Sequence, residues 1–367
     1  MTYLNFIPGP SKVTEEVKND IREALDRDIV SLSHRSEEFY EIFRQARFKL
    51  KEFLEIPQNY SVYFTSSATE CMEIISRNCT ENRSYHFVLG AFSKRFCDIS
   101  RKVGNEITAR EIPFGDGFDY SREIIEKGNA SELAAITYTE TPTGVSLLEE
   151  ELEIFRKNNP DIIIAVDIVS VAGTKKINFN LADAWFFSVQ KGFGLPAGLG
   201  VLIVNEKVRE KACQLREKKR DIGGFHSICD LDEAGEKDRT IETPNVLAVF
   251  LLLRQVERFL QKGMAQIEKE TAEKAEFLYG WVQKRGYGLC VKNPKYRSWS
   301  VLCIEFPSGT NADDFHRKLN DKGIVIGKGY KEMKDTHFRI SNFPAHTLAE
   351  MKLAIAAIDE AIDCKNT

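Results

Sequence analysis

From residue 61 onward the chain alternates short apolar runs with longer stretches of helical spacing. The apolar runs cover 62–64, 87–89, 134–138, 162–166, 184–189 and 201–204, and helices are predicted between them over 68–78, 94–103, 149–158 and 207–219. The runs are apolar at nearly every position rather than at every second one. Strands of that kind are covered on both faces, and their alternation with helices predicts a mostly parallel sheet. Ahead of this series, Thr14 caps a predicted helix over 15–25, and Ser36 caps a longer one over 37–54. Behind it, two amphipathic stretches run over 242–262 and 265–285. The polar, glycine-containing segment 221–239 between the two halves reads as a surface loop or lid. The last part has a different make-up. Strands over 301–306, 324–326 and 337–340 mix there with helices over 312–322 and 347–362, which makes a small α+β unit.

Composition narrows the function classes. The 367 residues carry a net charge of -4 without a polybasic run, which gives no footing for nucleic acid or an anionic membrane. No apolar stretch approaches the ~20 residues that span a bilayer, and the start of the sequence lacks a signal-peptide pattern, so a cytoplasmic location is expected. The eight cysteines are scattered without a CxxC pair, and the six histidines show no metal-ligand spacing. Free thiols and no metal site are therefore expected.

In a parallel sheet, ligands gather where the strands end, and the loops there hold the candidate chemistry. Lys191 follows the run Trp185-Phe186-Phe187 and precedes a turn rich in glycine. A desolvated lysine loses its proton readily and can attack a carbonyl carbon, although a strand-end lysine is often only a surface charge. Asp167 stands directly after an apolar strand, where a carboxylate is costly unless a cation meets it; a loop or capping aspartate is the plain alternative. Ser66-Ser67-Ala68-Thr69 occupies a strand-to-helix turn, where hydroxyls and free N–H groups face the positive helix end and can hold a phosphate, or serve merely as a cap. Phe92 can lie on an aromatic ligand or fill core, and Thr141 and Thr143 can donate from a polar turn. His34 and Arg35 sit just before the helix capped by Ser36, and Phe6-Ile7-Pro8-Gly9-Pro10-Ser11 is too stiff to be helix or inner strand, so it reads as an extended arm laid over something.

Each signal is weak alone, but they fall on successive strands of one sheet. In that order, and in the segments 6–11, 33–35, 167–170, 188–191, Thr243-Pro244 and Arg339-Ile340-Ser341, the chain resembles the class V branch of fold-type I pyridoxal-phosphate (PLP) enzymes. Within that branch it resembles the phosphoserine and the alanine/serine–glyoxylate aminotransferases. The resemblance implies a seven-stranded, mostly parallel sheet with helices on both faces and a small C-terminal α+β domain. It divides the chain into an arm over 1–14, a large PLP-binding domain over 15–250 and a small domain over 251–367.

The same resemblance assigns roles. Lys191 is the Schiff-base lysine and Asp167 the carboxylate that keeps the pyridine nitrogen protonated. Ser67, Ala68 and Thr69 form the phosphate turn, and Phe92 stacks on the ring where many relatives use tryptophan. Thr141, Ser170 and Gln190 contact the cofactor, and Thr243 reaches its phosphate across a homodimer. Arg339, helped by Ser11, grips the substrate α-carboxylate, while His34 and Arg35 reach in from the neighbouring subunit to a substrate phosphate. A second His-Arg pair expected before Arg339 is replaced by Gly327-Lys328-Gly329-Tyr330-Lys331-Glu332, leaving Lys328 or Lys331 to serve as a point charge. The expected reaction is amino transfer from phosphoserine to 2-oxoglutarate, with serine or alanine and glyoxylate or pyruvate as the alternative pair. A desulfurase or other class V lyase is disfavoured: desulfurases usually stack histidine on the ring and carry a nucleophilic loop cysteine, whereas Phe92 takes the stacking place and Cys290 and Cys303 fall in or beside predicted strands. A non-enzymatic scaffold would leave Lys191, Asp167 and Arg339 without a purpose.

Overall fold

The computed structural model describes residues 3–126 and 130–363. The first half of the chain forms β1 (Leu4–Phe6), α1 (Glu15–Asp26), α2 (Glu37–Leu54), β2 (Ser61–Thr65), α3 (Ala68–Asn78), β3 (Arg83–Val88), α4 (Ala91–Lys102), β4 (Glu106–Glu111), β5 (Leu133–Thr137), β6 (Thr139–Glu140), β7 (Val145–Ser146), α5 (Glu149–Asn158) and β8 (Ile163–Asp167). The second half continues with β9 (Ala184–Ser188), β10 (Gly200–Val204), α6 (Glu206–Glu217), α7 (Ile228–Gly235), α8 (Val246–Lys262), α9 (Met264–Arg285), β11 (Val301–Glu305), α10 (Ala312–Asp321), β12 (Ile324–Lys328), β13 (His337–Ser341) and α11 (Leu348–Asp363).

Seven strands form the main sheet in the order β2-β10-β9-β8-β5-β3-β4, and only β10 runs antiparallel to its neighbours. The apolar runs sit at its centre for the reason their composition gives: every residue of β5, β8, β9 and β10 is buried. Trp185, Phe186 and Phe187 are fully enclosed, and Phe187 stacks on Phe193 beyond the strand with ring centroids 5.0 Å apart. Because β5, β8 and β9 are parallel, Thr137, Asp167 and Ser188 all end at one edge. The edge strand β4 escapes a periodicity reading, since Glu106–Glu111 is polar and mostly exposed.

A second sheet, β1-β12-β13-β11, belongs to a separate apolar cluster with α10, α11 and the end of α9. The N-terminal arm is one of its strands: Leu4, Asn5 and Phe6 pair in parallel with Ile324, Val325 and Ile326. Phe6 is buried there and stacks on His346 at 4.7 Å, while His346 Nε2 shares a 2.7 Å hydrogen bond with the Asn5 carbonyl. These contacts anchor the chain just before Pro8-Gly9-Pro10 crosses to the main sheet.

The segment 221–239 corrects the expectation of a loop or lid. Its centre is α7, capped by Ser227 Oγ accepting from Asp230 N at 3.2 Å. Ile228 and Leu231, three apart on one helical face, are buried. Asp232 accepts from the Tyr63 hydroxyl of β2 at 2.6 Å. The segment is therefore docked on the main sheet by its own apolar face, too short a pattern to stand out among its polar neighbours. Among the described residues no helix is long and apolar enough to cross a membrane.

Candidate active site

Lys191 leaves the turn after β9 with its side chain directed inward and only 6% exposed. Its Nζ donates to Thr141 Oγ1 at 2.6 Å and to Ser170 Oγ at 2.9 Å, and the two hydroxyls are 2.6 Å from each other. Thr141 follows β6, the short strand just beyond β5, and Ser170 follows β8, the neighbour of β5, so the sheet order itself assembles the group. Burial lowers the pKa of the Lys191 amine to about 8, against the opposing pull of the Asp167 carboxylate. Burial likewise raises Asp167, at the end of β8, to about 7, opposed by the Val169 N–H and by Lys191. The hydrogen bond to Asp167 comes from Val169 N at 2.8 Å, and among the described residues its second oxygen takes none. Asp167 is thus a buried carboxylate with one hydrogen bond, and a cationic partner would offset its burial.

The turn after β2 leaves hydrogen-bond donors free at the start of α3. Ser67 caps α3 through Glu70 N at 3.2 Å, and Ala68 N donates to Ser188 Oγ at 2.6 Å. Thr69 is exposed on the first turn of α3, and among the described residues neither its amide nor its hydroxyl has a hydrogen-bond partner. A Cβ on Gly200 would come within 2.4 Å of Thr65 Oγ1 and 2.6 Å of the Ser67 carbonyl carbon, so β10 can approach the turn only with glycine there. Glu70 stands beside this turn and accepts from Ser66 N at 2.6 Å and Ser66 Oγ at 2.7 Å. Its charge is met by His226, whose Nδ1 faces Glu70 while Nε2 lies 3.4 Å from Glu242. Burial draws the His226 pKa down, but the carboxylates of Glu242 and Glu70 outweigh it and hold it up at about 9. A free N–H and hydroxyl at a helix N-terminus, with the neighbouring carboxylate neutralised, suit a phosphate.

Phe92 sits in the first turn of α4 with the Lys191 ammonium 5.2 Å above its ring centroid. Its position is set by Glu140, a fully buried carboxylate that sequence reasoning passed over. Glu140 accepts from Phe92 N at 2.9 Å, Ser93 N at 3.0 Å and Ser93 Oγ at 2.9 Å. It thus supplies from outside the helix the cap that Gly90 cannot. The signal available in the sequence was a charge two residues after the apolar run 134–138. These residues together fit PLP: an amine for its aldehyde, a carboxylate for its ring nitrogen, an aromatic face, and a turn for its phosphate.

Arg339 on β13 donates to the Lys328 carbonyl at 2.8 Å and to the Thr141 carbonyl at 3.3 Å, which ties the small sheet to the Lys191 cluster. Partial burial lowers its pKa. Ser11 joins from the arm: its Oγ donates to the Lys191 carbonyl at 2.9 Å and its N to the Gln190 carbonyl at 2.8 Å. Gly9 has a φ of +135°, and a Cβ there would meet Lys191 Cε at 2.9 Å, so the arm lies directly against the lysine stem. Gln190 is half-buried beside it. Lys328 is already paired with Asp313 at 2.8 Å, whereas Lys331 lies over Tyr330 at 5.9 Å.

Three expected residues stay apart from this group within one chain. Arg35 and Thr243 are exposed and His34 is half-buried, on the segments before α2 and α8. Among the described residues, the side chains of His34 and Arg35 take no hydrogen bond or ion pair, and Thr243 has no contact with the Lys191 cluster. Of the cysteines, Cys303 lies inside β11 and Cys290 donates its N–H to the Cys303 carbonyl at 3.0 Å; Cys364 lies outside the described residues.

Comparison with known proteins agrees with this geometry. The family profile described as Aminotransferase class-V matches residues 3–341. A phosphoserine aminotransferase of Rhodococcus opacus (strain B4) is 24% identical over 357 residues, 96% of this chain and 93% of the relative. The crystal structure of a phosphoserine aminotransferase from Cytophaga hutchinsonii superposes with a TM-score of 0.94 at 37% identity, covering 98% of each chain. The alanine–glyoxylate aminotransferase of Nostoc sp. shares the fold at a TM-score of 0.78 and 19% identity, covering 98% of this chain and 95% of its own. With the two-sheet architecture, which is that of PLP fold type I, these matches place the chain in the class V aminotransferase family of PLP-dependent transaminases.

Proposed function

We propose that this protein is a PLP-dependent aminotransferase that moves the amino group of phosphoserine to 2-oxoglutarate. The observation that carries the reaction class is the pairing of Lys191 and Asp167, two buried groups of opposite charge whose pKa values burial has drawn together. Thr141 and Ser170 hold the Lys191 Nζ in place, and Thr69 with Ser67 and Ala68 receives the cofactor phosphate. Asp167 keeps a proton on the ring nitrogen, and Phe92 covers the ring face. Bound there, PLP supplies the electron sink that makes the substrate α-proton removable. An amine with a pKa near 8 can take that proton and return it at neutral pH, because neither form is strongly disfavoured.

Arg339 is the fork for the substrate α-carboxylate, with Ser11 steadying the lysine turn. The substrate choice leans on the phosphoserine aminotransferases among the relatives and on Arg35, an exposed cation that has no partner among the described residues of its own chain. In this reading the arm over 1–14 belongs with the small domain over 251–367, the large domain covers 15–250, and Thr243, His34 and Arg35 complete the site of the other subunit of a homodimer. Purified protein supplied with PLP should be coloured, and borohydride should attach the cofactor to the peptide containing Lys191. A colourless protein that ignores added PLP would overturn the cofactor reading. A donor panel of phosphoserine, serine, alanine and aspartate should rank phosphoserine first by kcat/KM; a higher rank for alanine or serine would move the substrate to the glyoxylate-type pair.

A further inference from the structure

Outside the Lys191 cluster, two cysteines face each other between α6 and α7. The Sγ atoms of Cys213 and Cys229 lie 3.4 Å apart, although 16 positions separate them along the chain. Ion pairs on either side of the sulfurs set the register of the two helices: Arg209 meets Asp232 at 3.3 Å, and Arg216 meets Glu233 at 2.9 Å. Arg209, Cys213 and Arg216 fall at helical spacing on one face of α6, as Cys229, Asp232 and Glu233 do on α7. The start of α7 is also held from α3, since Ile228 N donates to Asn78 Oδ1 at 2.9 Å. The fold thus keeps the two thiols in contact without a bond between them.

The two sulfurs differ in access. Among the described residues Cys213 is the only cysteine that is not buried, whereas Cys229 is 3% exposed. Cys290 and Cys303, which also meet, are both enclosed. Cys213 is therefore the sulfur that a reagent from solvent reaches first. Cys229 waits behind it as a thiol, because burial and its contact with Cys213 push it up to about 12. We infer that Cys213 and Cys229 form a dithiol site that exchanges with a low-molecular-weight disulfide and closes to an intramolecular disulfide joining α6 to α7. The Cys213 thiolate attacks one sulfur of the reagent, whose S–S bond breaks; a mixed disulfide forms on Cys213 and one reagent thiolate leaves. Cys229 passes its proton to that thiolate and attacks the Cys213 sulfur; the mixed S–S bond breaks, the protein disulfide forms and the second reagent thiolate leaves to take up the proton first lost by Cys213. Two protein thiols are oxidised by two electrons, and the reagent is reduced to two thiols. The sulfurs close from 3.4 Å to about 2 Å, a step within reach of side-chain rotation. The bond closes the chain over 213–229, just where His226 bridges Glu70 and Glu242, and so pins the 221–245 segment. None of this depends on the proposed reaction.

The test incubates the intact protein with oxidised glutathione, alkylates the remaining thiols and maps unreduced peptides by mass spectrometry. A linked Cys213–Cys229 peptide, lighter by two hydrogens than the free pair, should appear and should vanish with dithiothreitol. Cys229→Ser should stop at a glutathione adduct on Cys213, and Cys213→Ser should leave Cys229 unmodified. The oxidised parent should be cut within 221–239 roughly tenfold more slowly than the reduced parent, and its thermal midpoint should rise by about 4 °C. Cys213→Ser, treated in the same way, should show neither change. The parent's linked peptide is read without any substitution, so the test stands even where a variant folds poorly. A folded parent that yields no linked peptide, or only a lasting adduct on Cys213, overturns the dithiol site. A linked peptide without protection of 221–239 overturns the pinning of that segment.

Discussion

Lys191 and Asp167, which the proposed reaction would need, are costly to the fold. Each is buried, and burial pushes each toward its neutral form, the amine down to about 8 and the carboxyl up to about 7. The sign for Asp167 follows from proton counting. Between its ordinary carboxyl range near 4 and about 7, the native state holds a proton that the unfolded chain has lost, so this group lowers stability as pH rises through that window. Asp167→Asn removes that cost. The cofactor-free variant should therefore match or exceed the parent in thermal midpoint at pH 8, with the difference shrinking toward pH 4. Its turnover should fall by roughly a hundredfold or more, since an amide cannot hold the ring nitrogen protonated. A variant that loses midpoint at pH 8 would mean that Asp167 is a structural ion-pair partner first. Lys191→Met should abolish turnover more completely, by roughly a thousandfold or more, because no other amine among the described residues lies in the cluster.

Elements carry the next level of control, and here the sequence was legible only in part. The central strands announced themselves, because runs such as Ala184–Ser188 are apolar at nearly each position and must be covered on both faces. The strand-end residues Asp167 and Lys191 followed from those boundaries. Glu140, Gly9 and His226 did not, because their meaning lies in contacts across the fold: Glu140 with the start of α4, Gly9 with the lysine stem, His226 with two carboxylates from separate segments. The last of these links α3 to the segment that leads into Thr243. Its stabilising effect is fully present below pH about 6.5, the imidazole's ordinary value, and is lost as pH rises through about 9. His226→Gln should therefore make the 221–245 segment more open to limited proteolysis at pH 7, while the parent should reach the same susceptibility only above pH 9. If parent and variant are cut equally at pH 7, His226 does not tie that segment down.

The whole molecule adds a constraint that neither residues nor elements reveal. The Lys191 cluster with Thr141 and Ser170 forms within one chain, yet Arg35 and Thr243 are exposed and do not touch it there. In a symmetric dimer each site can take its lysine from one subunit and its Arg35 from the other. Two variants, each defective through its own homodimer, then become complementary. Lys191→Ala removes the amine, and Arg35→Ala weakens phosphoserine capture. In a mixed dimer, one site inherits both defects and the other inherits neither. After the two proteins are mixed in equal amounts and their subunits exchange, half of the dimers are mixed and half of the sites in those are intact. Activity at low phosphoserine should rise to about a quarter of the parent value, from near zero in either variant alone. If Arg35 serves the site of its own chain, the two defects stay on separate sites in the mixed dimer and no activity returns. The quarter therefore measures a shared site directly, and it also fixes the direction from which the distal end of the substrate is read.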